Sequence, residues 1–340
     1  MSLKKILLTG GAGYIGAHTA VELLEQGFDI VILDDLSRSE VQMIEGIEKI
    51  TSRKVKFYKG DCSDSTFVGM VLEKESISSI IHFAAYKSVN ESVVNPLLYY
   101  RNNVGSLINL LEQMQKFDVN EFIFSSSCTV YGQPDHIPVN ERAPFKRAES
   151  SYGATKQMCE RILEDAVLAN KNLKVVSLRY FNPVGAHPSS LIGELPIGTP
   201  GNLVPFITQT AAGVREKLTV FGNDYDTPDG SCVRDFIHVM DLAKAHVQAV
   251  KSTDSISSRY EAFNLGTGKG ETVLQLVKKF IEVTGIKLNY VVGLRRAGDI
   301  EKIFADPRKA EAILGWKTQL SLKDSLIDAW NWEKKIRGIS

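Results

Sequence analysis

Neither sign of charge prevails in this sequence. Its 340 residues hold 40 Lys+Arg and 40 Asp+Glu, for a formal net charge of zero. Without a basic field, nucleic acid and membrane surfaces are poor partners, because both present negative charge. No block of like charge or low-complexity tract occurs, which argues against long disordered tails. Cysteine is scarce. Cys62, Cys128, Cys159 and Cys232 are scattered and form no C-x-x-C, so neither a disulfide framework nor a structural zinc site is expected. Isolated buried thiols in a reducing compartment are expected instead. The histidines at 18, 82, 136, 187, 238 and 246 include no H-x-x-H or H-x-x-x-H pair, and no metal is expected. Long apolar runs are missing too. The N-terminal one stops at Thr9-Gly10-Gly11, too short for a signal-peptide core. No other run is long enough to span a bilayer. These absences point to a cytosolic protein.

What is present is ordinary globular composition, 44% hydrophobic and 24% charged. The length exceeds one core of about 100–200 residues. Short apolar runs recur at Ile6–Thr9, Ile30–Leu33, Val55–Tyr58, Ile80–Phe83, Glu121–Ser125 and Lys174–Arg179. Most are continuous rather than alternating, which means burial on both faces, as in a parallel sheet covered by helices. Helical patterns fall between them at Tyr14–Gln26, Asp64–Glu75, Tyr99–Phe117 and Ser151–Asn170. Strand–helix alternation predicts an α/β fold, a doubly wound parallel sheet of Rossmann type. After Tyr180 the character changes. The stretch 182–202 carries four prolines and four glycines and reads as an irregular functional loop. Later strands are expected at Leu218–Phe221, Ala262–Leu265 and Leu288–Val291, with a closing amphipathic helix at Leu326–Ile336. We expect a nucleotide-binding domain over residues 1–180 and a smaller α/β substrate domain over 181–340. One later strand could return to the first sheet, so some interleaving is expected.

Gly10, Gly13 and Gly16 form G-x-x-G-x-x-G between the first strand and the first helix. Glycine is needed there because the loop turns tightly, the backbone approaches a pyrophosphate, and the helix packs close to the sheet. The free N–H groups and the helix dipole then favour the phosphate charge. A second strand ends at Asp34, 18 positions after Gly16, where an acid can accept both hydroxyls of an adenosine ribose. An acid there repels a 2′-phosphate, so NAD is the expected cofactor rather than NADP.

Tyr152 and Lys156 stand at i and i+4 on a predicted helix, and so share a face. A phenol with a reference pKa near 10 must fall by about three units, roughly 4 kcal/mol, to act as a base near neutrality. One neighbouring cation supplies about one to three units. Lys156 together with an oxidised nicotinamide could supply the whole shift. Upstream, Phe124–Gly132 leaves the end of a strand, and ligands of open α/β sheets bind at the carboxyl ends of strands. Ser127 or Thr129 could there share the proton of a reacting hydroxyl.

These segments, with Ile81–Ala85, Asn102-Asn103, Leu178–Pro188, Phe221–Tyr225, Val233–Ala243, Asn264–Gly268 and Arg295–Asp299, resemble the extended short-chain dehydrogenase/reductase family. Within it they resemble the UDP-glucose 4-epimerases, essentially end to end. The resemblance implies interconversion of UDP-galactose and UDP-glucose through a 4-keto sugar, with tightly held NAD recycled in each turnover. It implies Ser127, Tyr152 and Lys156 as the catalytic set. Cofactor contacts would come from the glycine turn with Tyr14, Ile15, Asp34, Asp35, Ser39, Asp61, Cys62, Phe83, Ala84, Ala85, Lys87, Asn102 and Phe181. The UDP-sugar would be held by Thr129, Asn182, Asn202, Leu203, Phe221, Arg234, Arg296 and Asp299. Arg234 and Arg296 suit pyrophosphate, since guanidinium binds phosphate bidentately. A solvated pair of Arg234 with Asp235 is the competing reading. The resemblance also implies a homodimer joined through the helices near Tyr99–Phe117 and Ser151–Asn170.

Two departures bear on the chemistry. Ser127-Cys128-Thr129 lacks the adjacent Asp-Glu pair of related 4,6-dehydratases, and water elimination needs such an acid and base. Ile303 stands where epimerases restricted to glucose and galactose often carry tyrosine. N-acetylhexosamine or uronate epimerisation therefore stays open, as does a non-catalytic NAD sensor on the same fold.

Overall fold

The computed structural model describes residues 4–296 and 299–339. In its first part the chain runs β1 Lys5–Thr9, α1 Tyr14–Glu25, β2 Asp29–Asp34, α2 Gln42–Thr51, β3 Lys56–Lys59, α3 Ser65–Glu75 and β4 Ser79–His82. Then come α4 Val89–Val94, α5 Pro96–Tyr99, α6 Gly105–Lys116, β5 Glu121–Ser127, α7 Ser151–Ala169 and β6 Lys174–Tyr180. The later part holds β7 Asn182–Val184, α8 Leu203–Ala211, β8 Leu218–Phe221, β9 Val233–Arg234, β10 Phe236–His238, α9 Val239–Ser252 and β11 Tyr260–Leu265. It ends with β12 Glu271–Thr272, α10 Val273–Thr284, β13 Tyr290–Gly293, α11 Arg308–Leu314 and α12 Leu322–Arg337.

Seven parallel strands form the main sheet in the order β11-β6-β5-β4-β1-β2-β3. The continuous apolar runs explain it. Residues 6–8 of β1 and 80–81 of β4 are fully buried, because helices cover both faces. One apolar layer holds Ala17, Ala20 and Val21 of α1 with Leu242, Ala245 and Val250 of α9. The other holds Val68 and Leu72 of α3, Leu107 and Leu110 of α6, and Leu163 of α7. Each valine or leucine among them contributes about 1.5–3 kcal/mol by leaving water, and each alanine about 0.8 kcal/mol. A third cluster joins α8, α10, α12 and β8 around Ile207, Phe280, Leu326 and Trp330.

β11, from the later half of the chain, closes the edge of the main sheet beside β6 over Tyr260–Leu265. The later strands otherwise pair off, β7 with β10, β9 with β12 and β8 with β13. Three expectations need correction. The helix expected over Tyr99–Phe117 is interrupted by a π turn at Tyr100–Val104, a feature that inserts one residue and re-aims its neighbours. The strand expected at Leu288–Val291 begins two residues later, because Leu288 is a core residue packed with α10 and α12. The closing helix also starts earlier than expected, at Leu322, where Ser321 and Asp324 form a capping box.

Strand order reverses between β1 and β4, the switch point where open α/β sheets bind ligands. Thr9, Asp34, His82, Ser127 and Tyr180 end their strands there.

Candidate active site

The glycine turn is built by close contact. Gly10 has φ +71°, and a Cβ on it would lie 2.6 Å from the Ala84 nitrogen. On Gly16 a Cβ would lie 2.5 Å from the Gly10 carbonyl oxygen. Gly13 caps α1 in extended conformation with no side-chain cap, which leaves the first-turn N–H groups for an anion. Asp34 is buried at the end of β2. Its carboxylate accepts from Ala12 N at 3.0 Å, Leu36 N at 2.9 Å and Ser39 Oγ at 2.7 Å. Burial raises its pKa, against those three hydrogen bonds. Asp35 and Asp61 are exposed and each accepts from the backbone two residues on. Cys62 is buried beside them, its carbonyl taken by Asn109.

Across the turn, Phe83 N and Ala84 N both donate to Thr9 O, at 2.9 and 3.0 Å. Ala85 follows directly, and Lys87 Nζ lies 5.8 Å from the Tyr14 ring centre. Tyr14 itself donates to Gly185 O at 2.7 Å, while Ile15 packs at the edge of the apolar layer. Asn102 sits in the π turn and donates to Asn103 Oδ1. Phe181 is buried after β6. The turn, the segment after β4 and the π turn thus converge on the strand ends. A close-packed glycine cradle with free helix amides and a buried acid beyond it fits a dinucleotide.

Ser127 ends β5, and its hydroxyl accepts from Thr129 N at 3.2 Å. Tyr152 opens α7, whose N-cap Ser150 accepts from Gly153 N. Burial pushes the Tyr152 phenol up to about 12, opposed by the Ser127 hydroxyl facing it. Lys156 is buried and donates to Ser125 O at 2.5 Å. Its nitrogen lies 5.9 Å from the Tyr152 ring centre and 4.7 Å from that of Phe124. Burial pulls the ammonium down to about 8. Burial therefore outweighs the neighbouring ammonium in setting the Tyr152 pKa.

The remaining predicted residues come from the turn after β5 and from the later half of the chain. Asn182 Oδ1 and Thr129 Oγ1 are buried without a hydrogen-bond partner, an arrangement that costs about 1–3 kcal/mol unless a ligand or water supplies one. Asn182 and Asn202 line a small open cleft with Leu203, Val204 and Phe236. Asn202 is the N-cap residue of α8, and Leu203 its first residue. Asp299 joins the two arginines. It lies 2.6 Å from Arg296 Nη2 and 3.7 Å from Arg234 Nη2. Arg234 does not pair with Asp235. That acid is buried and accepts from Thr267, Gly268 and Ala305. Phe221 is 43% exposed, with the Arg296 guanidinium 5.6 Å from its ring centre. Ile303 is buried against Cys128, Val130, Tyr131 and Phe181.

Sequence reasoning missed the supports. Arg179 and Glu160 form a buried ion pair at 2.6 Å. Ser126 hydrogen-bonds the same Glu160, and Arg179 reaches Tyr131 at 2.8 Å. The pair thus braces both the strand end before Ser127 and the turn after it. Asn103 uses its whole amide: Oδ1 accepts from Tyr86 N and Asn102, and Nδ2 donates to Tyr86 O and Thr155 Oγ1. Thr155 in turn donates to Tyr152 O at 2.7 Å. No periodicity or motif carries a signal for contacts this distant in sequence.

A doubly wound sheet with a dinucleotide turn, and a Tyr-x-x-x-Lys helix facing a strand-end serine, defines the extended short-chain dehydrogenase/reductase class. A family model described as GDP-mannose 4,6 dehydratase matches residues 7–328. The chain is 49% identical over 329 residues to the UDP-glucose 4-epimerase of Yersinia enterocolitica, covering 97% of each. It is 48% identical over 328 residues to that of Bacillus subtilis, covering 96% of each. A crystal structure of the Bifidobacterium longum UDP-glucose 4-epimerase with NAD+ and UDP superposes with a TM-score of 0.95 at 43% identity, covering 99% of this chain and 100% of that one. The chain belongs to the UDP-glucose 4-epimerase family.

Proposed function

We propose that the protein interconverts UDP-galactose and UDP-glucose by reversible oxidation at sugar C4, using tightly bound NAD. The observation that carries this reading is the facing of Ser127 and the buried Tyr152–Lys156 helix at the strand ends, together with the buried, unpartnered Thr129 and Asn182 oxygens. When bound, NAD supplies a hydride acceptor that later returns the hydride to the other face of the sugar. The cradle of Gly10, Gly13 and Gly16 holds its pyrophosphate, and Asp34 with Ser39 meets the adenosine ribose. Around these lie Tyr14, Ile15, Asp35, Asp61, Cys62, Phe83, Ala84, Ala85, Lys87, Asn102 and Phe181. Tyr152 takes the proton from the O4 hydroxyl, and Ser127 relays it. Lys156 and the nicotinamide charge lower the phenol into working range. Arg234 and Arg296, pre-aligned by Asp299, clamp the UDP pyrophosphate, while Asn182, Asn202, Leu203, Phe221 and Thr129 seat the rest. The 4-keto sugar must turn between hydride transfers so that the hydride returns to its opposite face.

We assign residues 1–180 chiefly to the cofactor and 181–340 chiefly to the nucleotide sugar, with β11 returning to the cofactor sheet. We place the protein in the cytoplasm. Its four cysteines are free and buried, which suits a reducing compartment. No helix among the described residues is long and apolar enough to cross a membrane. We infer a homodimer. Val93, Val94 and Leu97 on α4 and α5 are 61–77% exposed, and Met158 and Leu168 on the neighbouring α7 are 46% and 73% exposed, a set of apolar side chains that suits a second copy.

The test is to give the protein UDP-galactose without added NAD and follow the anomeric signals by NMR. An equilibrium mixture with UDP-glucose is expected. Release of reduced cofactor in proportion to turnover, with no UDP-glucose, would refute the proposal.

A further inference from the structure

Glu194 lies in the glycine- and proline-rich stretch before α8, and its side chain is only 11% exposed. One oxygen, Oε1, accepts from Lys87 Nζ at 2.8 Å and from Asn202 Nδ2 at 2.6 Å. Its own backbone is pinned. The Trp332 indole donates to Glu194 O at 3.0 Å. The same indole lies so close to Gly193 that a Cβ there would reach its ring at 2.4 Å. Lys87 stands over Tyr14 beside the glycine turn, while Asn202 opens α8 at the cleft shared with Asn182. A single fixed carboxylate oxygen therefore holds one side chain from the dinucleotide side and one from the sugar-nucleotide side.

We propose that Glu194 is a positioning residue for the sugar nucleotide, a shared acceptor that fixes Asn202 and Lys87 relative to each other. The inference rests on the sugar-nucleotide reading above. Lysine and asparagine side chains lose rotamer freedom when they grip a ligand, and holding them beforehand removes that cost from binding. Glu194 touches no reacting atom in this arrangement. Its contribution is the same in ground and transition states, so it acts on KM rather than kcat.

Glu194→Ala should raise KM for UDP-galactose about tenfold, the size of one lost hydrogen bond to a charged group, and leave kcat within about threefold. Glu194→Gln keeps an acceptor oxygen at the same reach and should recover most of the lost affinity. The dissociation constant of UDP alone, measured by calorimetry on the protein with its cofactor, should rise in step with KM. Combining Glu194→Ala with Asn202→Ala should cost little more than Asn202→Ala alone, because Glu194 acts on the sugar nucleotide through the Asn202 side chain. Unchanged KM and UDP affinity in Glu194→Ala would overturn the inference. So would a fall in kcat at constant KM, a Glu194→Gln as impaired as Glu194→Ala, or additive losses in the double variant. Wild-type protein that binds UDP without epimerising would refute the proposed function, and the UDP titrations would still decide the role of Glu194.

Discussion

Replacing Lys156 by methionine isolates the electrostatic part of the mechanism. The two side chains are similar in length, and Lys156 is buried against Phe124, so methionine keeps the packing and deletes the charge. At 5.9 Å between the Lys156 nitrogen and the Tyr152 ring centre, unit charges at an effective dielectric of about 20 interact by about 2.8 kcal/mol. That is about two pK units. Burial holds the phenol near 12, while the Lys156 ammonium donates a hydrogen bond to Ser125 O. The Lys156 contribution becomes decisive once the nicotinamide charge has moved the phenol part of the way down. Burial holds the ammonium near 8, so it is still charged at pH 7. Lys156→Met should therefore lower kcat at pH 7 by about a hundredfold and move the acidic limb of the kcat–pH profile up by about two units. The assay is initial rate of UDP-glucose formation at saturating UDP-galactose from pH 5.5 to 9.5. A loss under threefold with an unmoved limb would refute the electrostatic role of Lys156.

Three further outcomes follow from other parts of the structure. Glu160→Gln leaves Arg179 buried without its counter-charge, and should destabilise the fold by about 3–5 kcal/mol in denaturant titration; a change under 1 kcal/mol, on the order of a surface pair, would contradict the bracing role. Burial holds His18 and His82 down to about 3 and His246 to about 4, so the unfolded chain binds more protons below pH 6.5. Their stabilisation is present above 6.5 and lost as pH falls toward 4, about 1.3 kcal/mol each between pH 7 and 5.5; equal denaturation midpoints at those two values would exclude it. Leu97, 75% exposed, should be essential to the dimer if α5 lies in its interface. Leu97→Glu should then halve the mass seen by light scattering, and an unchanged dimer mass would remove α5 from the contact.

Much of this architecture is legible along the chain. The six apolar runs became strands within one or two residues of their expected ends, because strands buried on both faces write their position as uninterrupted apolar sequence. The glycine turn and the Tyr152–Lys156 pair were legible because each is local, confined to one turn and one helical face. What could not be read is what folding assembles from afar. Asp299 between Arg234 and Arg296, Arg179 against Glu160, and Glu194 between Lys87 and Asn202 are pairings by shape, with no periodicity to betray them. α9 is hard to read along the chain because its apolar positions are mostly alanine and valine, mixed with His246 and Asp241, which are buried by distant partners, His246 against Tyr180 and Phe83 and Asp241 under Gln319 and Leu320. Tyr152 shows the reverse limit. Its identity was plain from spacing, whereas its high pKa depends on burial that sequence cannot report.

The central claim is that the hydride leaves and returns to the same sugar within one binding event. UDP-galactose carrying deuterium at C4 tests it most directly. With no NAD added, the UDP-glucose formed is expected to retain the deuterium at C4. Deuterium lost to solvent, or carried away on released cofactor, would contradict it.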